Sequence, residues 1–232
     1  GGRTPRWRSW GRSSNGRRPR WICGSPGWGG AVKKTLHAAE RLRPDVAEQR
    51  KQWPQRLGGV SADRLVFVDE SGVNTQMTRH SGRSPIGQRL VCPVPHGHYQ
   101  TTTLIAAVRS RGPQAPWLFG GAMDGEWFLA WVQQGLGPGL QRGDVVILDN
   151  LATHKVAGVR EAIAAAGARL EYLPPYSPDF NPTEAMGSKV KQGLKSQEPR
   201  NARQLLQAAG VAFAAGTPAD CQGFFLHAGY AT

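Results

Sequence analysis

Two aspartates, Asp69 and Asp149, each follow a run of four apolar residues, in the segments LVFVD and VVILD. Such short runs, rich in branched side chains, predict buried β-strands, so each carboxylate would be held by a rigid element. A third acid, Glu184, follows the segment NPT. Carboxylate oxygens are the ligands that Mg²⁺ and Mn²⁺ prefer, and two such ions can assist displacement at phosphorus. We therefore take Asp69, Asp149 and Glu184 as candidate catalytic and metal-binding residues.

Each acid also has a purely structural explanation. Aspartate commonly stabilises the turn after a strand. Glu184 lies where an acid favours the start of a helix, with Asn181 as the N-cap and Pro182 as the first helical residue. Asp124 is likewise interpreted as a helix N-cap, and Glu70 should face the side of its strand opposite to Asp69. The choice between a metal site and capping residues depends on the wider sequence.

The elements that would position these acids can be read from the hydrophobic pattern. Strands are predicted at 65–69, 101–108, 115–123, 145–150 and 169–173, and helices at 125–136, 156–167, 182–196 and 201–216. A further strand at 74–80 is predicted to pair with the first through a turn at SGVN. The order, strands first and then alternating helix and strand, predicts an α/β fold with a mixed five-stranded sheet flanked by helices.

The chain divides by composition into three predicted regions. Residues 1–30 form a tail rich in Gly, Arg and Trp, residues 31–60 a helical linker, and residues 61–232 the catalytic domain with C-terminal helices. Residues 1–34 hold nine basic side chains and no acid, so of the net charge of +13 only 13 minus 9, or +4, belongs to the rest. The tail could be a solvated basic segment or could bind DNA. Arg17, Arg18 and Arg20 are candidate DNA-binding residues.

Charge and composition restrict the class of protein. A pI near 10.5 favours a polyanionic partner, of which nucleic acid is the obvious one. Three widely spaced cysteines without a C-x-x-C pair do not suggest a disulfide framework or a structural zinc site. No apolar run of membrane-spanning length and no secretory signal is recognisable. We expect a soluble, intracellular protein.

Two segments, LDNLATHK at 148–155 and YLPPYSPDFNPTEAMGSKVK at 172–191, resemble signatures of the DDE superfamily of transposases, in particular the bacterial insertion-sequence group related to the mariner elements. The 34 residues between Asp149 and Glu184 agree with that group. The resemblance extends over roughly residues 31 to 230.

The resemblance implies an RNase H-like fold and a metal-dependent enzyme of DNA transposition, which cuts a DNA strand and transfers its 3′ end. Asp69, Asp149 and Glu184 would hold two Mg²⁺ or Mn²⁺ ions, with Asn150 and His154 in supporting roles. The partners would be double-stranded DNA, as transposon ends and a TA-containing target, and other copies of the chain in a homodimer or larger synaptic complex. The setting would be the cytoplasm and nucleoid of a bacterium.

Two departures from the family pattern are visible. Residues 1–30 lack the helix-turn-helix pattern with which full-length relatives begin. Gly187 stands where the family often has a bulky aromatic, and Gly187 and Gly193 are each expected to weaken their helix by about 1 kcal/mol relative to alanine.

Lys155, Lys189 and Lys191, near the acids in sequence, are further candidates for DNA contact. The competing hypotheses are a non-catalytic DNA-binding remnant and a nuclease of the same fold that acts on RNA–DNA hybrids.

Overall fold

A five-stranded mixed sheet forms the centre of the protein, with strand order β3-β2-β1-β4-β5. The computed structural model describes residues 38–79, 82–94, 99 and 101–230. The strands are β1 (Leu65–Asn74), β2 (Thr101–Arg109), β3 (Gly112–Gly120), β4 (Val145–Leu148) and β5 (Arg169–Tyr172). The first three pair antiparallel, and β4 and β5 run parallel to β1. The predicted mixed five-stranded sheet flanked by helices is confirmed.

Helices cover both faces of this sheet. They are α1 (Pro44–Arg56), α2 (Gly125–Trp131), α3 (Val159–Ala165), α4 (Pro182–Gln197), α5 (Ala202–Ala214) and α6 (Pro218–His227). One buried cluster joins one face of the sheet to α4, α5, α6 and Trp53 of α1. A second joins the other face to α2 and α3. Alternate residues of β1 enter the two clusters, Phe67 the first and Val68 the second, as the pleat of a strand requires.

The predicted strand at 74–80 and the turn at SGVN are wrong. Residues 71–74 continue β1, because β2 lies alongside and pairs with them, for example Ser71 with Leu104 and Val73 with Thr102. Gly72 and Asn74 favour a turn locally, but the pairing of this segment with β2 outweighs that preference. Within the described residues between β1 and β2, namely 75–79, 82–94 and 99, no strand or helix is present.

The predicted helices exist but several are shorter than expected. The pattern at 125–136 forms α2 and then a π-helical turn, Val132–Leu136, which ends before Gly137 and Pro138. The pattern at 156–167 begins only at Val159, because Gly158 adopts a left-handed conformation with φ of 93°. Asp124 and Asn181 cap α2 and α4 as predicted, each accepting a bond from a backbone N–H of the first turn. α6 was not among the predicted helices.

The described residues from Ala39 onward form one compact unit, which includes α1 of the predicted linker. Arg17, Arg18 and Arg20 lie outside the described residues. Of the helices that the structure describes, none is both long and apolar enough to cross a bilayer.

Candidate active site

Asp69 and Asp149 occupy neighbouring positions at the edge of the sheet. Phe67 of β1 pairs in parallel with Ile147 of β4, and each aspartate follows two residues later in its chain. Adjacent strands lie about 4.8 Å apart, so the two backbones are close at this level. β4 ends at Leu148, whereas β1 continues past Asp69 and is paired there with Ala106 of β2. Asp149 therefore lies just past a strand end, and Asp69 lies within a strand.

Asp69 is held by the start of α4. Its Oδ2 accepts hydrogen bonds from Nδ2 of Asn181 and Oγ1 of Thr183, each at 3.1 Å. Its Oδ1 accepts from the backbone N–H of Glu70 at 2.9 Å. All of these donors are neutral, so Asp69 is oriented by them without being neutralised.

The pKa of Asp69 is raised to about 7, first by burial and then by the negative charge of Glu184, while the bond from Thr183 acts in the opposite direction. Burial and a second carboxylate both disfavour the ionised form of a carboxyl group. Such a group is common at functional sites, and a bound cation would stabilise its ionised form. Asp69 and Glu184 line the same cavity, which is why the charge of one affects the pKa of the other.

Asp149 is paired with a buried histidine. Nδ1 of His154 lies 2.7 Å from Oδ1 of Asp149, and Nε2 lies 2.6 Å from Oε1 of Glu70. The contact to Asp149 is electrostatic in character, because Nδ1 is not aligned for a hydrogen bond. The ring is fully buried against Phe128, with centroids 4.3 Å apart. Glu70 faces away from Asp69, as predicted, and His154 connects it to Asp149.

The protonation states of His154, Asp149 and Glu70 depend on one another. Burial alone would lower the pKa of His154, but Asp149 and Glu70 raise it to about 9. Burial would raise the pKa of Asp149, but His154 and the N–H of Leu151, 3.0 Å away, lower it below its usual range. The two carboxylates thus favour the protonated form of His154, which is fully buried and neither caps a helix nor faces solvent.

Glu184 completes the group from the first turn of α4, where its side chain is exposed. It lines a cavity of about 410 Å³ together with Asp69, Asp149 and Asn150. The three acids predicted from the sequence are thus brought to one cavity. Among the residues that the structure describes, no three Asp, Glu, His or Cys side chains are arranged tightly enough to hold an ion as they stand.

The donor set nevertheless fits a hard divalent cation. Asp69, Asp149 and Glu184 supply only oxygen atoms, and the crowded negative charge that raises the pKa of Asp69 is the kind of charge a cation relieves. Glu184 is exposed, so its side chain can change rotamer more readily than a buried one.

A proline-rich loop, which includes Tyr176, also lines this cavity. Tyr176 has a positive φ of 53°, which is uncommon outside glycine, and the residue is 45% exposed. Ser177 accepts a hydrogen bond from Arg50 at 2.5 Å, and Asp179 forms an ion pair with Arg50 at 2.8 Å. The loop is therefore fixed by α1, and Asp179 has a structural role.

The remaining predicted residues have separate environments. Nδ2 of Asn150 donates to the carbonyl of Leu173, which ties the end of β4 to the end of β5, and its Oδ1 accepts from Lys155 at 3.2 Å. Lys191 lies beside the acids, in a groove that also includes Asp69 and Glu184. Lys189 instead lies 2.5 Å from Asp220 of α6.

Comparison with known proteins identifies the family. Residues 64–206, more than half of the chain, match the family described as DDE superfamily endonuclease. The chain belongs to this family. The match spans Asp69, Asp149 and Glu184, so all three acids lie in the DDE endonuclease region. A search of curated protein sequences found no match.

Solved structures of Mos1 mariner transposase have a similar fold. A paired-end complex with Mg gives a TM-score of 0.67 at 17% identity, over 87% of this chain and 63% of that one. A pre-cleavage transpososome gives 0.66 at 16%, over 85% and 64%. The isolated catalytic domain gives 0.59 at 16%, over 84% and 91%. The chain thus spans less than two thirds of the longer Mos1 chains and most of the catalytic domain, whose RNase H-like fold it shares.

Sequence reasoning missed the roles of two residues of the site. Glu70 was set aside because it faces away from Asp69, and nothing in its own sequence context reveals the bond to His154, 84 residues away. Asn181 was recognised as a helix cap, but not as a donor to Asp69. Its position directly before Pro182, at a predicted helix start near the third acid, was the available signal.

Proposed function

We propose that this chain is the catalytic region of a transposase, which uses divalent metal ions to cut a DNA strand and to join the freed 3′ end to a second DNA. The observation that carries the proposal is the placement of Asp69 within β1 and of Asp149 just past the end of the adjacent parallel strand β4, with Glu184 on the wall of the same cavity. In a DDE superfamily endonuclease, this is the group of residues that can support phosphoryl transfer.

The residues of the site would have two roles, metal binding and orientation of the metal ligands. Asp69, Asp149 and Glu184 would hold two Mg²⁺ or Mn²⁺ ions. Bound there, the ions supply Lewis acidity and stabilise the charge that develops during in-line displacement at phosphorus. Asn181 and Thr183 fix the orientation of Asp69 through their bonds to Oδ2. Such orientation by surrounding residues is commonly worth about 10-fold or more in metal affinity or activity.

His154 and Asn150 support the site from the side of β4. His154 fixes Asp149 by charge, and Asn150 holds the loop after β4 against the end of β5. The open cavity between Glu184 and the loop at Tyr176 gives a DNA strand access to the acids. None of these residues needs to form a covalent bond to DNA.

The partners that we propose are double-stranded DNA, as element ends and target, and at least one further copy of the chain. The Mos1 structures include paired-end and strand transfer complexes, which supports this proposal. The net charge of +13 is suited to a polyanionic partner. An origin in a bacterial insertion sequence, a place at the nucleoid and the DNA-binding role of Arg17, Arg18 and Arg20 stay predictions.

A nicking assay tests the proposal. Supercoiled plasmid is incubated with the full chain and Mn²⁺ or Mg²⁺, and conversion to open circles is followed for the wild type and for Asp149→Asn. We expect metal-dependent nicking that Asp149→Asn abolishes. Glu126→Gln is the matched control, because Glu126 is an exposed acid on α2 that lines none of the described cavities around the acids. It should nick like the wild type.

Three results would favour the alternatives or exclude the mechanism. Plasmid binding without nicking by the wild type, in either metal, would indicate a DNA-binding remnant. Nicking that is equal in the wild type and Asp149→Asn would exclude the proposed mechanism. Cleavage confined to the RNA strand of a hybrid would indicate the RNA–DNA nuclease.

A further inference from the structure

The proline-rich loop beside the acids, residues 174–180, is bonded at two points to one side chain of α1. Nη1 of Arg50 donates to Oγ of Ser177 at 2.5 Å and to Oδ1 of Asp179 at 3.0 Å. Nη2 of Arg50 donates to Oδ2 of Asp179 at 2.8 Å. Arginine can form such a set of bonds because its donors lie in a rigid planar fork. A single guanidinium group therefore connects two residues of the loop to α1.

The aromatic ring of Phe180 makes a further contact with this guanidinium. The ring centroid lies 4.3 Å from Cζ of Arg50, a distance typical of a cation–π interaction. The side chain of Arg50 is only 11% exposed, so its contacts are partly shielded from solvent. Exposed ion pairs contribute little to stability, whereas a shielded bidentate pair can hold a loop in one geometry.

Trp53, which follows Arg50 by three positions on α1, supports the end of the loop by a separate route. Its Nε1 donates to the hydroxyl of Tyr230 at 3.0 Å, and that hydroxyl donates to the carbonyl oxygen of Phe180 at 2.7 Å. Residues three positions apart are neighbours on the surface of a helix. One face of α1 therefore supports the loop both through Arg50 and through Trp53.

The loop requires such support, because Tyr176 within it has a left-handed backbone with φ of 53°. Residues other than glycine seldom adopt this conformation, and it persists where the surrounding contacts impose it. Ser177, the next residue, is buried and makes contacts of this kind, since its Oγ accepts from Arg50 and donates to the carbonyl of Pro175. The bond from Arg50 thus acts one residue away from the unfavourable backbone.

The loop leads directly to a donor that orients Asp69. Asn181 follows Phe180 in the chain, and its Nδ2 donates to Oδ2 of Asp69 at 3.1 Å. Arg50 bonds Asp179, two residues before Asn181. Arg50 itself is not among the described residues that line the cavity of the acids. Its side chain can therefore affect Asp69 only through the loop.

We propose that Arg50 is a positioning residue of the candidate active site. Through Ser177 and Asp179 it holds the proline-rich loop in one conformation, and the loop in turn keeps Asn181 directed at Asp69. This assignment rests on the proposed function, because it takes Asp69 to be a metal ligand.

Three variants of the full chain separate this positioning role from a general effect on stability. Arg50→Gln removes the ion pair and should still fold, because Asp179 is 40% exposed and keeps its bond from Arg41 at 3.0 Å. Arg50→Lys keeps the charge but loses the planar fork. Arg56→Gln is the matched control, since Arg56 also lies on α1, over the ring of Trp53, but pairs with Glu171 of β5 at 2.5 Å instead of with the loop.

Two measurements on these variants test the proposal. Hydrogen exchange of the metal-free chain is followed by mass spectrometry on peptides that cover residues 173–184. We expect Arg50→Gln to speed exchange there by about 10-fold, as for the loss of a charge-assisted hydrogen bond, Arg50→Lys to have a smaller effect, and Arg56→Gln to have none. In a nicking titration, the Mn²⁺ concentration for half-maximal activity should rise by about 10-fold in Arg50→Gln and stay at the wild-type value in Arg56→Gln.

Exchange at the wild-type rate in folded Arg50→Gln would overturn the proposal. Faster exchange with an unchanged Mn²⁺ requirement would also overturn it, because the loop would then have no influence on Asp69. An equal rise of the Mn²⁺ requirement in Arg56→Gln would show a general effect of α1 and would overturn it as well. A wild type that does not nick would count against the proposed function, whereas the exchange measurement, which needs neither metal nor DNA, would still decide whether Arg50 holds the loop.

Discussion

Nε2 of His154 lies 2.6 Å from Oε1 of Glu70, which links the loop after β4 to the middle of β1. The other nitrogen of the ring is 2.7 Å from Asp149. Glu70 therefore fixes the orientation of a cation that in turn fixes a candidate metal ligand. Glu70 is adjacent to Asp69 in sequence but acts on Asp149.

Removal of Glu70 should weaken the metal site. In Glu70→Ala, His154 loses its restraint and its positive charge can shift away from Asp149, so the Mn²⁺ concentration for half-maximal nicking should rise by about 10-fold. Glu70→Gln keeps an oxygen that can accept from Nε2–H, so its effect should be smaller. Titration of nicking activity with Mn²⁺ measures both.

Glu48→Ala is the control for this series, since Glu48 is an exposed acid of α1 whose side chain bonds only Gln52 among the contacts described. It should leave the Mn²⁺ dependence unchanged. A Glu70→Ala protein with the Mn²⁺ requirement of the wild type would show that the link through His154 has no bearing on Asp149.

Asp69 should destabilise the metal-free fold at high pH. Its pKa is raised from 3.8 to about 7 on folding, so the folded state holds the proton more tightly and stability falls as pH rises from about 4 to 7. Asp69→Asn removes this penalty and should raise the free energy of unfolding by up to about 4 kcal/mol at pH 8 in EDTA, since one pKa unit corresponds to about 1.4 kcal/mol. The gain should vanish near pH 4.

Urea unfolding at the two pH values measures this difference, and Mg²⁺ at pH 8 should stabilise the wild type but not Asp69→Asn. A variant less stable than the wild type at pH 8 would mean that the hydrogen bonds from Asn181 and Thr183 outweigh the burial of the charge.

The fully buried pair of Arg109 and Asp144 should stabilise the opposite end of β4. Oδ2 of Asp144 accepts from Arg109 at 2.5 Å and from the N–H of Gln141 at 2.7 Å. Asp144→Ala leaves the Arg109 guanidinium buried without its partner and should cost roughly 3 to 5 kcal/mol. Thermal unfolding measures the loss, and a cost under about 1 kcal/mol would contradict this role.

The same pair gives a pH dependence of opposite sign to that of Asp69. Burial alone would raise the pKa of Asp144, but the bonds from Arg109 and Gln141 lower it below the usual value. Its contribution to stability is therefore complete above about pH 4 and is lost as pH falls through the lowered pKa. The wild type should lose stability more steeply than Asp144→Asn on acidification below this pH.

The two glycines of α4 should respond differently to alanine. A Cβ at Gly193 would lie 2.9 Å from Cβ of Ala212 on α5, a contact that requires the helices to separate. Gly193→Ala should therefore be destabilising, by about 1 to 3 kcal/mol, despite the better helix propensity of alanine. At Gly187 the nearest atom is the movable hydroxyl of Ser71, so Gly187→Ala should be neutral or stabilising by up to about 1 kcal/mol. Tm measurements compare the two, and equal shifts would refute the packing role of Gly193.

The sequence was informative where local pattern and tertiary structure agree. The runs ending at Asp69 and Asp149 are buried strands, and Asn181 and Asp124 cap helices, because these features depend on residues close in the chain. The spacing and proline-rich motif around Glu184 then allowed the family to be recognised. This was sufficient to predict the sheet and to select three acids that line one cavity, whose role as metal ligands stays a prediction.

Features that depend on distant residues could not be read in this way. Residues 71–74 form a strand only because β2, which begins at Thr101, supplies their hydrogen bonds. The contacts of His154 with Glu70, and of Lys189 with Asp220, join residues 84 and 31 positions apart. Gly193 looked like a weak point of α4 until Ala212 of α5 was seen beside it.

The most direct test of the account is the position of Mn²⁺ in crystals of the chain, measured by anomalous scattering. We predict a peak bounded by the carboxylates of Asp69 and Asp149, with a second peak near Glu184, and loss of the first peak in Asp149→Asn. Anomalous density that is absent from this cavity at saturating Mn²⁺, or that is unchanged in Asp149→Asn, would contradict the assignment of these three acids as the metal-binding residues of a DNA-cleaving site.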